Sequence, residues 1–192
     1  MASQRTYVVP YRRRREGKTN YRRRLNLLKS RKNRIVVRKG TKQIIIQLVA
    51  YTPDGDTVQI QANSAELAEK GWKVRNVNMP QAYLTGLLFA AKAKKKAEGA
   101  VVDFGLYPAL SQTTIYAAIK GIIDGGVHIP FDEDVLPSED RLHGEHIAQF
   151  AKKLAQEDKD KYTRQFGRYI KADVDPTRLP ELVDNVKANI KG

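Results

Sequence analysis

The sequence predicts an α/β fold on a mixed sheet, and three observations carry that reading. Between residues 35 and 61, three stretches rich in β-branched residues are separated by turn chemistry. Two later stretches, 78–99 and 113–124, place apolar residues at helical spacing. Each is followed by a brief apolar run, 100–104 and 127–129, of a length that suits a buried strand. The order is strand, strand, strand, helix, strand, helix, strand. That is a three-stranded antiparallel meander continued by parallel strands with helices packed on them.

Residues 1–17 read as an arm: Tyr7, Pro10 and Tyr11 precede Arg12, Arg13, Arg14 and Arg15, with no helical or strand period. Residues 18–31 read as a short helix with Tyr21, Leu25 and Leu28 on one stripe, surrounded by Arg22, Arg23, Arg24, Lys29 and Arg31. If that stripe faces the core, at least two of the three consecutive arginines project outward, being about 100° apart. The first strand, 35–38, ends at Lys39-Gly40-Thr41, and the second covers 43–51. Pro53-Asp54-Gly55-Asp56 turns the chain into a third, 57–61, because proline presets φ and glycine accepts positive φ. Along the first strand Arg34, Val36 and Arg38 share one face, while Ile35 and Val37 share the other. One face, cationic, can meet a partner and the other the core helices.

Asn63-Ser64-Ala65-Glu66 resembles a capping box opening a short helix that Gly71 can close. Asn78 caps a longer helix, with Pro80 near the first turn, where a missing N–H costs nothing. Its apolar face is Tyr83, Leu84, Leu87, Leu88 and Ala91. Lys92, Lys94, Lys95 and Lys96 fill its last turns, where cations suit the macrodipole, and Gly99 ends it. Residues 113–124 form the next helix through Ile115, Ala118, Ile119, Ile122 and Ile123, and Gly125-Gly126 breaks it. Beyond Pro130 the character changes: 131–140 is acidic, 142–154 is helical, and Pro180 opens a last helix to about Ile190. The chain therefore divides into an arm (1–17), an α/β core (18–130) and an appendage packed on that core (131–192).

Composition narrows the function. A hydrophobic share of 41% can bury a real core, which excludes global disorder. The absence of cysteine excludes disulfides, zinc ribbons and thiol nucleophiles, and suits a reducing cytosol. No apolar run reaches the roughly 18 residues of a membrane span. The start has no signal-peptide pattern, and four contiguous arginines differ from the scattered arginines of a transit peptide. The net charge of +14 is concentrated: residues 1–42 hold sixteen Lys and Arg against Glu16 alone, and 43–192 hold nineteen against twenty acids. So dense a cluster repels itself and needs a polyanion to become compact.

Tyr7, Tyr11 and Tyr21 are interleaved with that charge, which points to RNA. Arginine forks grip phosphate and stack on bases, and a tyrosine ring can take an unpaired base. There is no helix-turn-helix pairing, zinc-finger spacing or heptad that would favour DNA. His143-Gly144-Glu145-His146 invites a metal reading, but it lacks a second ligand cluster and the HExxH spacing, so structural or RNA-contacting roles are expected. Asp103, at a strand end, invites a nuclease reading. Two-metal chemistry needs several converging carboxylates, so a cap or turn role is expected for it instead.

Five stretches carry a family resemblance. They are Tyr21-Arg-Arg-Arg-Leu-Asn-Leu-Leu-Lys-Ser30; Arg34-Ile-Val-Val-Arg38 with Gln47 downstream; Ala82-Tyr-Leu-Thr-Gly-Leu-Leu88; Lys96-Ala-Glu-Gly-Ala-Val-Val-Asp-Phe-Gly105; and Arg141-Leu-His-Gly-Glu-His146. In this order they resemble, nearly end to end, the archaeal and eukaryotic-type 5S-rRNA-binding protein of the large ribosomal subunit. That family is numbered eighteen in the bacterial large-subunit scheme. The resemblance implies an RNase H-like fold, a structural and non-catalytic role, no cofactor, and a place in cytoplasmic ribosomes. It implies as partners 5S rRNA, seated in the central protuberance, large-subunit rRNA and neighbouring ribosomal proteins, with no membrane and no small-molecule substrate. The RNA-binding residues expected from the family and the charge pattern together are Arg12, Arg13, Arg14, Arg15, Tyr21, Arg22, Arg23, Arg24, Arg31, Arg34, Arg38 and Lys42. The appendage beyond Pro130 marks the archaeal and eukaryotic branch.

Overall fold

The structure, a computed structural model, describes residues 8–191 apart from the side chains of Lys94 and Lys95. Tyr7 and those two lysines, named above, lie outside the described residues. The arm is more ordered than its sequence suggests. Arg12–Arg15 forms one helical turn, α1, in which Tyr11 O accepts from Arg14 N and Arg15 N at 2.9 and 3.1 Å. The next helix, α2, is confined to Tyr21–Leu28, and the Asn20 side chain caps it by accepting from Arg23 N at 3.0 Å.

The expected meander forms, with strands β1 (Arg34–Lys39), β2 (Ile44–Thr52) and β3 (Gly55–Asn63). A short β4 (Val101–Asp103) pairs parallel to β1, giving a four-stranded sheet in the order β3-β2-β1-β4. This pairing sets Val36 opposite Asp103. The brief strand expected at 127–129 does not form. Its backbone bonds are Val127 N to Ile122 O at 3.3 Å, which closes α4, and Gly99 N to His128 O at 3.2 Å, and one bond to a neighbour is too little for a ladder.

One face of the sheet, through Ile35, Val37, Ile44, Ile46 and Leu48, packs into the main apolar cluster with α3 (Met79–Ala93) and α4 (Thr114–Asp124). Asn78 caps α3 by accepting from Gln81 N at 2.9 Å, as its position implies. The apolar face read for α3 is too narrow: the helix is buried all round from Pro80 to Ala90, while Ala91 is exposed. It buries two sides because the sheet and α4 cover one and α8 (Leu179–Lys191) the other. Its approach to α4 is a backbone contact. A methyl group built on Gly86 would lie 2.1 Å from Ala118 O, and one on Gly121 the same distance from Tyr83 O.

The helix expected over 142–154 is two helices, α5 (Glu139–His143) and α6 (Glu145–Glu157). Gly144 separates them at φ +81°, in the left-handed region, and a Cβ there would strike Leu179 and Pro80. A helix not expected from the sequence, α7 (Lys159–Lys171), follows. Its inward apolar positions are three aromatics, Tyr162, Phe166 and Tyr169, inside a largely charged and polar run, so its period is easily missed. Leu142, Ala151, Leu154, Phe166, Tyr169, Leu179, Val183, Val186 and Ile190 join the same apolar cluster as the sheet. Among the described residues no helix is long and apolar enough to cross a membrane.

The α3–α4 contact yields a paired expectation. Gly121→Ala should lower stability by about 1–3 kcal/mol or more, because rigid backbone must move. Gly167→Ala, inside α7 with nothing within 4 Å of the new methyl, should raise it by up to about 1 kcal/mol. Urea unfolding of the two variants measures both signs.

Candidate nucleic-acid interface

The outer sheet face is covered at Arg34 and Val36 and only partly at Arg38. Helix α2 lies across it, and the contact is built from charge. Arg34 is 2% exposed and paired with two carboxylates, Asp56 at 2.8 Å and Asp103 at 3.0 Å. Arg24 reaches down from α2 to the same Asp56 with both Nη nitrogens, at 2.8 and 2.9 Å. Arg23 Nη1 donates to Gly105 O at 3.1 Å and to Tyr107 O at 3.4 Å. Arg38 donates to the Asp103 backbone oxygen at 2.7 Å. Its guanidinium lies against Gly105, whose φ is +65° and where a Cβ would come within 2.9 Å. Only glycine suits both that backbone and that approach.

Asp103 spends its carboxylate on this net. Oδ2 takes Arg34, and Oδ1 accepts from Gly105 N at 2.7 Å and meets Arg38 at 3.5 Å. Of the cap or turn role read from the sequence, the turn role is therefore present, joined to an ion-pair role. Burial pushes the Asp56 carboxyl up, but hydrogen bonds from Arg24 and Arg34 outweigh it and hold the group below its ordinary value. Between α2 and the sheet remains a cleft of about 690 Å³, lined in part by Arg13, Lys18, Tyr21, Val36, Val49 and Tyr107.

The other cations face outward. Arg12, Arg13, Arg14 and Arg15, then Lys18, Arg22, Lys29, Arg31, Lys32 and Lys42, are exposed. The arm is tethered to α2 by Tyr11, whose ring lies 5.2 Å from that of Tyr21, and by Arg13 Nε, which donates to Thr19 at 2.8 Å. The whole face is thus a positively charged surface on a fixed frame.

The chain is similar to known proteins of one kind. Residues 5–98 match the family model described as ribosomal large subunit proteins 60S L5, and 50S L18. The chain is also 44% identical over 191 residues to the large ribosomal subunit protein uL18 of Korarchaeum cryptofilum (strain OPF8), covering 99% of this chain and 97% of that protein. The chain belongs to this ribosomal family.

In this large-subunit protein the sequence-derived contact set divides in two. Arg12 to Arg15, Arg22, Arg31 and Lys42 are exposed, although Arg12 pairs with Glu16 at 2.7 Å and Arg13 holds Thr19, and Tyr21 is half-buried under Tyr11. Arg34 is a correction: it was expected on an open strand face, and it is buried between two carboxylates. Arg23, Arg24 and Arg38 are partly covered and bound to protein acceptors. The helix stripe is corrected too. Leu25 is 56% exposed, while Arg23, Arg24, Leu27 and Leu28 turn toward the sheet. The reason is that the surface beneath α2 is charged, so ion pairing and not the apolar stripe selects the inward face. Asp56, read only as a turn residue, and Tyr107, whose hydroxyl donates to Lys39 O, are the participants the sequence did not single out. Their partners lie 32 and 68 residues away, so no local signal could have shown them.

Two expectations follow from the net. Asp103→Asn should cost about 3 kcal/mol in unfolding free energy, since a buried guanidinium loses one of its two counter-charges. The Asp56 carboxyl is depressed when folded, so its contribution is complete above the ordinary aspartate value of 3.8 and is lost as pH falls through the lower folded value. Unfolding of the unsubstituted protein and Asp56→Asn, compared across pH, should show a stability gap at neutral pH that begins to narrow only below about pH 4.

Proposed function

We propose that this large-subunit protein binds 5S rRNA through the surface formed by the arm, the outer side of α2 and the β1–β2 turn. The observation that carries this reading is the concentration of the chain's entire positive excess in residues 1–42. Arg12 to Arg15, Arg22, Arg31 and Lys42 are the proposed contacts, because each is exposed and able to meet phosphate. Tyr11 and Tyr21 offer rings at the same surface for an unpaired base. Arg23, Arg24, Arg34 and Arg38 are proposed to position α2, and any contact they make with RNA would come through that placement.

The same reading places 5S rRNA against large-subunit rRNA and neighbouring proteins in the central protuberance. It assigns the chain a structural role, in which Asp103 is engaged by Arg34, Arg38 and Gly105. The finer fold is proposed as RNase H-like, on the strength of three antiparallel strands followed by a parallel β4. The division into arm, core and appendage is proposed at 1–17, 18–130 and 131–192.

Filter binding of a 5S rRNA transcript across a salt series tests this. Arg22→Gln with Arg31→Gln should weaken binding and flatten the log–log salt slope by about 1–2 units, roughly 0.7–0.9 per lost phosphate contact. Circular dichroism should be unchanged. Removal of residues 1–17 should weaken binding further without unfolding the rest. Unaltered affinity and slope in both proteins would place the RNA on another face.

A further inference from the structure

The appendage is nearly neutral as a whole, yet its charge is segregated. Residues 131–158 carry eight acids against three bases and 172–191 carry four against three, whereas α7 carries five bases against Asp160 alone. Tyr162, Phe166 and Tyr169 form its inward face, with Phe166 and Tyr169 buried. Lys161, Arg164, Arg168 and Lys171 recur at spacings of three, four and three. At 100° per residue they fall in one stripe about 80° wide, on the side away from the aromatics, and span about 15 Å. All four are exposed.

Tertiary contacts extend the stripe. Arg168 Nη1 reaches Asn76 Oδ1 at 3.5 Å, and Asn78 Nδ2 donates to the Tyr169 hydroxyl at 2.8 Å. Helix α7 therefore lies against the segment 72–78, in which Trp72 and Val74 are buried while Lys73 and Arg75 are exposed. Arg75 in turn lines a cleft of about 430 Å³ together with Lys42 of the β1–β2 turn. Exposed cations thus run from Lys42 through Arg75 to the far face of α7. Among the described residues no carboxylate lies in ion-pair distance of Lys42, Arg75, Arg164, Arg168 or Lys171; Lys161 pairs with Asp158 at 3.1 Å.

We propose that Arg75 and the α7 stripe, which adjoin the first surface only at Lys42, form a second RNA-binding surface that takes the phosphate backbone of an RNA helix. It rests on the reading of the chain as an RNA-binding ribosomal protein. The stripe itself holds no large apolar side chain for a protein partner to bury, and lysine is depleted at the cores of protein interfaces. Cations in a row on a packed helix suit a regular line of phosphates, and they read no sequence. The phosphates can belong to a further helix of the RNA held by the arm or to a second RNA.

The test uses the full chain and two probes, a blunt RNA duplex of about 16 base pairs and a 5S rRNA transcript. Arg164→Gln, Arg168→Gln and Lys171→Gln together should weaken duplex binding about tenfold and flatten its salt slope by about 2–3 units. The charge-retaining Arg164→Lys with Arg168→Lys should keep the slope. Gln at Arg12, Arg13, Arg14 and Arg15 should leave this α7-dependent share of duplex binding in place. If protein saturated with the 5S transcript still captures labelled duplex, the track serves a second RNA; if capture is lost, it serves another helix of 5S rRNA. Unchanged duplex affinity and slope in a triple variant with native circular dichroism would overturn the proposal. So would retention of polyglutamate in place of duplex, which would make the partner an acidic protein. Failure of the 5S reading shows separately, as unaltered 5S binding when the arm arginines are replaced.

Discussion

The placement of α2 depends on one buried guanidinium. Arg34 sits on a sheet face between two carboxylates, and the helix above it is held by what one of them, Asp56, still accepts. Asp56 binds Arg24 from above and Arg34 from below, so it joins helix to strand. Such pairs contribute little net stability once desolvation is counted, yet removal of one partner is costly. Their value here is geometric. A fork that accepts two directed bonds fixes the rotation and the register of a short helix that has no buried apolar residue of its own.

That fixed helix organises the surface around it. With Arg23 and Arg24 turned to the sheet, Arg22 is left outward, and the chain on either side carries Arg12 to Arg15 and Lys29 to Lys32 into solvent. The arm leans back on α2 through Tyr11 and Tyr21, and so begins from a defined point. On the opposite side of the sheet the constraint is steric. Helices α3 and α4 meet backbone to backbone at Gly86 and Gly121, which leaves no room for any larger side chain.

The appendage shows how a neutral total can hide a strongly charged element. Its acids gather before α7 and after it, while the helix presents cations outward and aromatics inward. The inward aromatics tie it to the segment 72–78, and this contact brings Arg168 beside Asn76. A surface able to meet phosphate thereby arises from two parts of the chain that are almost a hundred residues apart.

The sequence by itself determined what local chemistry determines. Alternation and turn residues sufficed for the meander, Asn63 and Asn78 for two helix starts, and the position of sixteen cations for where the chain's positive excess lies. Five ordered stretches sufficed for the family. Only the tertiary structure decided which arginines are free. Arg22 and Arg24 are alike in the sequence, and Arg34 and Arg38 share one strand face. Their difference comes from Asp56 and Asp103, carboxylates that folding brings within 3 Å from distant points of the chain. The missed α7 and the divided α5–α6 have the same origin. Three aromatics do not announce a helix until there is a core to receive them, and Gly144 breaks the helix where Leu179 and Pro80 need its space.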